Sequence, residues 1–523
     1  MTAKHAAAHR ARAIPRWPLI QSTVVTMLFA AAVAAYLVGP GMWQWAHAAR
    51  IAAKADNIVE QVDTPPGPVD PILVDKLRHA STSVQAPPLI LTYHDIDHNT
   101  ASSRYTVTPE AFATQMQLLH DAGWTTLTAN DLVRWLHGEA LPPHSVMITF
   151  DDGARGVWKY ADRILARNQQ HALAYIITGF VGTHAPYYMT WPEITALQAS
   201  GRWDLEAHTH LGHVQIPVDA AWGQAPFLTN LQYRADQQRL ETPGEYHTRI
   251  GNDLVECKHQ FALHNLPEPT LFAYPFSAHN DDPVGTGLLK TTVGSLYQAA
   301  MLDQPDAVVT TTVNNVAEGN IARMDVTSDV TLERWADKLD AASPLDPRAA
   351  QPLADVNGWT DSDQQPAPLV IGADNHLTLD PGPAGHLSRQ YAPDRTTMWN
   401  TYTVSADLGG FGQSDGTTTG LSVLVGDPRH QTDLSVSSDA YRVDVGYGDT
   451  KPAASGDLKK AASHHVEMRV TPASVIVTID DNTPQIISLA PAAPRLTGGG
   501  IGITADRESD SSPPSVIGNL RVY

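Results

Sequence analysis

Val146-Met147-Ile148-Thr149-Phe150-Asp151-Asp152-Gly153 is the stretch from which the rest of the chain can be read. The run from Val146 to Phe150 predicts a buried strand, and two adjacent carboxylates with a glycine after them predict a charged turn at its C-terminal edge. In a fold of alternating strands and helices such edges gather into one site. Adjacent aspartates after a strand also serve as ordinary helix caps, so the pair needs a partner elsewhere before it means chemistry.

A partner follows the strand-like run 203–206, in His208-Thr209-His210-Leu211-Gly212-His213. Neither a helix nor a strand places positions 208 and 213 on one face, whereas a turn eased by Gly212 can. One carboxylate with two imidazoles is a three-ligand set for a catalytic divalent metal, and it leaves the second carboxylate free to handle protons. The combination points to metal-assisted hydrolysis.

Between and around these motifs the pattern alternates. Strands are expected at 89–93, 146–150, 172–177 and 270–274, and helices at 109–122, 155–168 and about 249–264. Such alternation implies a parallel sheet with outer helices.

With these pieces in place, residues 87 to about 340 resemble the polysaccharide deacetylases (NodB homology, carbohydrate esterase family 4), and most closely the branch acting on poly-β-1,6-N-acetylglucosamine. The matching pieces occur in family order: Leu91-Thr92-Tyr93-His94-Asp95-Ile96, Ile148 to Gly153, Glu206-Ala207-His208-Thr209 with His213, Arg249 to Leu254, Phe272-Ala273-Tyr274-Pro275, and Ala322-Arg323-Met324-Asp325-Val326. The resemblance implies a distorted, incomplete (β/α) barrel. It also implies that Asp152, His208 and His213 hold the metal, Asp151 is the general base, and the Phe276 backbone N–H, after Tyr274 and Pro275 on the substrate side, donates to the oxyanion. Phe276 and Ser277 depart from the family's usual Tyr and Gly, which puts the shape of this loop in question. No C-terminal Leu-His motif is found, so His94, on the first strand as in that branch, is the expected general acid. His210 is a spare, expected away from the metal or facing solvent.

The implied activity is hydrolysis of an acetamide carbon–nitrogen bond in an acetylated amino-sugar polysaccharide, with exopolysaccharide synthesis and export machinery as the implied partner. Zn²⁺ suits two imidazoles and a carboxylate; Ni²⁺, Co²⁺ or Fe²⁺ would accept the same set. O-deacetylation, action on peptidoglycan or chitin, and a non-catalytic glycan-binding role are the rival readings. The intact Asp151, Asp152, His208 and His213 set argues against the last of these.

The 523 residues are enough for two or three domains. A net charge of −20 argues against a nucleic-acid surface. The single cysteine, Cys257, rules out an intrachain disulfide and is expected to be an ordinary helix residue. Basic residues at 4, 10, 12 and 16 precede an uncharged run at 18–39, expected as a transmembrane anchor with residues 1–17 cytoplasmic and everything after it exported. A cleaved signal peptide ending near Ala46-His47-Ala48 is the alternative. Residues 40–86 read as a stalk and 343–368 as a Pro- and Asp-rich linker. Beyond it, the short alternating runs of 369–523 predict an antiparallel, jelly-roll-like β-sandwich of a type that often binds glycans.

Overall fold

The structure is a computed structural model. It describes residues 58–523 apart from 83–86, 280–282, 305–309, 368, 373–375, 383–384, 412–416, 447–450, 490–494 and 508–512. The expected cytoplasmic tail, membrane anchor and first part of the stalk lie outside the described residues. Among the described residues no helix is long and apolar enough to cross a membrane.

Seven parallel strands form the first domain: β1 (Leu89–Tyr93), β2 (Ser145–Phe150), β3 (Ala172–Ile176), β4 (Trp203–Ala207), β5 (Leu271–Ala273), β6 (Ala299–Gln304) and β7 (Asn320–Asp325). They are hydrogen-bonded in the order β1-β7-β6-β5-β4-β3-β2, and β2 pairs back onto β1 from Val146 opposite Leu89 to Phe150 opposite Tyr93. The sheet therefore closes into a barrel. The ring holds seven strands, with the two-residue strand Thr125–Thr126 paired to β2 outside it, and has a thin seam where β4 meets β5 only at Ala207 and Phe272.

Period-two alternation sorts each strand between two cores. Ile90, Met147, Leu173, Tyr175, Leu271, Met301 and Ile321 pack into one buried cluster inside the barrel. Their sequence neighbours Leu89, Leu91, Ile148, Ala174, Phe272 and Ala300 face the helices outside. The helices include α1 (Pro71–Arg78), α2 (Pro109–Asp121), α3 (Ala129–Leu136), α4 (Asp162–Arg167), α5 (Trp191–Ala199) and α6 (Pro243–Leu263), of which α3 instead packs Ala129, Leu132 and Trp135 into the inner cluster. Thr108, Thr128, Thr190 and Thr242 cap four of them, the last three with an acidic residue closing a capping box.

The second half of the expected stalk is part of this domain. Leu73 and Leu77, one helical turn apart on α1, are buried in the outer core, and Trp158 Nε1 donates to Val59 O at 2.8 Å. Their apolar spacing needs a surface to cover, and the barrel supplies it.

The C-terminal region holds two antiparallel sheets, of seven and six strands among the described residues. At their centres Thr418–Val425 pairs with Gly500–Asp506, and Tyr402–Gly409 with Ser463–Thr471. Leu345, Ala350 and Trp359, from the segment expected to be a linker, are buried in the core of this region. Trp359 Nε1 donates to Pro352 O at 2.9 Å, so the segment folds as part of the sheets it precedes.

Candidate active site

The alternation that fills the barrel with apolar side chains turns polar at the C-terminal ends of the strands. Thr92, Thr149 with Asp151, Glu206 with His208, Asp303, and Arg323 with Asp325 continue the inward-facing register and are buried or nearly so. The Asp151 N–H donates to Tyr93 O (2.9 Å) and the His208 N–H to Ile176 O (3.1 Å), which fixes both residues at the rim.

Asp152 takes a left-handed φ of 70°, and Gly153 follows at 79°. Aspartate tolerates this region better than most residues, and the turn brings its carboxylate back over the rim. Asp152 Oδ1 lies 3.5 Å from His208 Nε2 and 3.4 Å from His213 Nε2. The loop between the histidines is clamped from α6, where Asp253 accepts the N–H of His210 (3.0 Å) and of Leu211 (2.7 Å). His210 turns away, with Nδ1 3.0 Å from Thr178 Oγ1.

The ligand atoms of Asp152, His208 and His213 all lie within 4.8 Å of one another. Two features fit this set to a divalent cation. Asp152 Oδ1 is buried without a hydrogen-bond partner, and His208 Nδ1 donates to Ala273 O at 2.8 Å, leaving the Nε2 lone pair facing Asp152. Burial opposes the charge on Asp152, yet His208 and His213 outweigh it and hold the carboxyl well below its usual range. The two imidazoles shift in opposite directions. Burial lowers His213, with the neighbouring His208 adding to it, whereas Asp151 and Asp152 overcome burial and raise His208.

Asp151 faces a different environment. Arg323, fully buried on β7, donates to both of its oxygens, and the same guanidinium lies 2.7 Å from Asp303 Oδ1. Burial pushes the Asp151 carboxyl upward, but the Arg323 charge overrides this and keeps it below the ordinary value. Asp303, sharing that one cation, is raised by its burial. His94 comes within 4.8 Å of Asp151 and Asp303, measured between ligand atoms; its Nδ1 is buried without a hydrogen-bond partner, and its ring lies 4.7 Å from that of Tyr105.

Arg323 and Asp303 received no role from the sequence. A charged residue set among Ile321, Ala322 and Met324 was the available signal for Arg323. Asp303 is the penultimate residue of a strand, Ala299–Gln304, that the alternation pattern did not single out.

Phe276 also takes a left-handed φ, 58°, with Ser277 at 53°. Its half-exposed ring lies 4.4 Å from that of His213. Ser277, the second departure from the family pattern, accepts the Asp303 N–H (2.7 Å) and donates to Asp303 O (3.1 Å), hooking this loop to β6. Tyr274 and Pro275 are buried, so this pair shapes the loop from beneath.

Residues 138–286 match the sequence profile of the polysaccharide deacetylase family. The chain carries a polysaccharide deacetylase domain. It is similar to the poly-β-1,6-N-acetyl-D-glucosamine N-deacetylase of Escherichia coli (strain K12), 23% identical over 295 residues, covering 47% of this chain and 44% of that protein. It is likewise similar to the protein of the same name from Staphylococcus aureus (strain MRSA252), 32% identical over 183 residues, covering 34% of this chain and 56% of that one. The chain thus spans about half the length of the curated relatives it matches. A solved de-N-acetylase from Aggregatibacter actinomycetemcomitans aligns over 48% of this chain and 99% of its own at 16% identity, with a TM-score of 0.42.

Proposed function

We propose that this chain is a divalent-metal-dependent de-N-acetylase of an N-acetylglucosamine polysaccharide of the poly-β-1,6-linked type. The observation that carries the reading is the pairing at one strand end of Asp152, converged with His208 and His213, and Asp151, held apart from them by Arg323. Asp152 Oδ1, His208 Nε2 and His213 Nε2 would hold the ion, Zn²⁺ by donor type, with Ni²⁺, Co²⁺ or Fe²⁺ also suited. When bound, such an ion polarises the acetyl carbonyl and lowers the pKa of water.

The chain's own residues divide the proton chemistry. Asp151, kept ionised by Arg323, accepts the proton of the attacking water. The Phe276 N–H donates to the oxygen that gains charge, and His94 delivers a proton to the departing sugar amine. The sheets downstream of residue 369 are proposed to bind the polymer, and the apolar run 18–39 to hold the chain at a membrane with its bulk on the extracytoplasmic side.

The test is release of acetate and free amine from β-1,6, β-1,4 and peptidoglycan substrates, before and after chelation and with each metal restored. Amine release only from N-acetylated glycans, abolished by chelation, is expected. Release of acetate from O-acetyl groups alone would replace the reading with an esterase.

A further inference from the structure

A groove of about 670 Å³ opens beside the site, within the usual size of ligand clefts. Its walls are segments that leave the catalytic strand ends. Asp95 and Asp97 directly follow His94, and Arg155, Gly156 and Lys159 follow the Asp151-Asp152 turn. Tyr187 forms another wall, fixed by its carbonyl accepting the Arg155 N–H at 2.6 Å and by the Met189 N–H donating to Gly153 O at 3.0 Å. Burial raises the Tyr187 hydroxyl, and the carboxylates of Asp152 and Asp95 add to the shift, so this wall of the groove is electrostatically coupled to the Asp152 site. A polymer with one acetamide at Asp152 would lay its adjoining sugar here.

The charge of the groove is specific. Arg155 is committed to Glu193, at 3.1 Å, and the Lys159 ammonium sits 4.7 Å from the Tyr160 ring centroid. Asp95 is 9% exposed and accepts the backbone N–H groups of Ile96 and Gly156, and the carboxylates of Asp97 and Asp152 lie near enough to oppose its charge. A Cβ at position 156 would stand 2.1 Å from Ile96 O and 2.4 Å from Asp95 Oδ1, so only a glycine lets the backbone N–H come close enough to donate to that carboxylate. Glu60 adds a third carboxylate.

We infer that this groove is a subsite for the neighbouring sugar of the same chain and that Asp95 and Asp97 select a glucosamine there, by its ammonium, over an N-acetylglucosamine. The inference rests on the proposed polysaccharide de-N-acetylation. It makes a partly deacetylated chain the preferred substrate, so that each turnover prepares the next. Burial and the two acidic neighbours push the Asp95 carboxyl up to about 6, and an ammonium placed beside it would favour its ionised form.

The experiment compares two β-1,6-linked tetramers on the full-length protein loaded with Zn²⁺, one fully N-acetylated and one carrying a glucosamine beside an acetylated unit. The wild type is expected to show a KM about tenfold lower for the mixed tetramer, equivalent to about 1.4 kcal/mol, with the gap narrowing in high salt. In Asp95→Asn, and independently in the less buried Asp97→Asn, the ratio of the two KM values is expected to fall toward one. Because the ratio is internal to each variant, a general loss of folding or activity does not mimic this result. Equal KM values in the wild type, or a ratio unmoved in both variants, would overturn the subsite while leaving the de-N-acetylase reading standing. Absence of acetate release from both tetramers would remove that reading and the subsite with it.

Discussion

Arg323 grips Asp151 with two parallel hydrogen bonds, Nη1 to Oδ1 at 2.8 Å and Nη2 to Oδ2 at 2.6 Å, while Nη2 also lies 2.7 Å from Asp303 Oδ1. One fully buried cation thus balances two buried carboxylates inside the barrel. The fork fixes the orientation of Asp151, and its charge keeps that carboxyl ionised when unassisted burial would protonate it.

Arg323→Ala would leave both carboxylates unpaired, and a loss of about 3–5 kcal/mol is expected. Arg323→Lys restores the charge without the fork; it is expected to recover part of the stability, with kcat still down by about 100-fold through misplacement of Asp151. Urea melts beside turnover at matched metal content check this. An alanine variant as stable as the wild type would mean that the network relaxes without its cation.

Much of this site was legible because its parts sit where strands end. Asp151, Asp152, His208 and His213 mark themselves by residue type, and the apolar runs before them predicted β2 and β4 almost to the residue. Arg323 and Asp303 were not legible as partners. A buried arginine in a strand signals only that some counter-charge exists, with Asp325 two residues on as the nearer candidate, and Asp303 is 20 residues away on a strand that reads as a short Ala-rich run. The downstream sheets were visible by alternation, whereas the Pro- and Asp-rich segment before them looked like a linker. Composition hides that Leu345 and Trp359 are anchored in the core that follows.

Separate roles for the adjacent aspartates give a division among variants. Asp152→Ala, His208→Ala and His213→Ala are expected to lose the ion, whereas Asp151→Asn keeps it and loses turnover. Asp253→Ala, which frees the loop between the histidines, is expected to weaken metal affinity by about 10–100-fold, as loss of a supporting contact typically does. Competition with a chromogenic chelator measures all five. Full metal content in the three ligand variants would sink the assignment.

Arg495, from the downstream sheets, donates to Trp135 O (3.1 Å) and Glu139 O (2.7 Å), and its guanidinium lies 5.0 Å from the Trp135 ring centroid. Met398, also from that region, is buried in the cluster that fills the barrel. Removal of 369–523 would therefore uncover the barrel interior. The truncated chain is expected to melt at lower temperature, and Arg495→Ala alone to cost about 1–3 kcal/mol through the Glu139 carbonyl left without its donor and the lost packing on Trp135. Thermal melts beside activity on short soluble oligomers test it. Unchanged stability in both would make the downstream sheets an independent attachment, acting only on long polymer.

His94 is the candidate acid, and the leaving group can test it. An amine anion is too basic to depart, so an acetamide needs its nitrogen protonated as the tetrahedral intermediate collapses, whereas the aryloxide of an activated ester leaves with little help. His94 stands at the end of β1, clear of the Asp152, His208 and His213 set and within 4.8 Å of Asp151 and Asp303. His94→Ala is accordingly expected to retain the ion and to lose activity on an N-acetylglucosamine oligomer by about 100-fold or more, while hydrolysis of an aryl acetate falls far less. His94→Gln keeps the bulk against Tyr105 and should behave the same way if proton delivery, not packing, is the lost function. Measuring both substrates on both variants at matched metal content decides between roles. Equal falls on amide and ester would make His94 a structural residue, and loss of the ion would make it a ligand; either result sends the search for the acid elsewhere in the site.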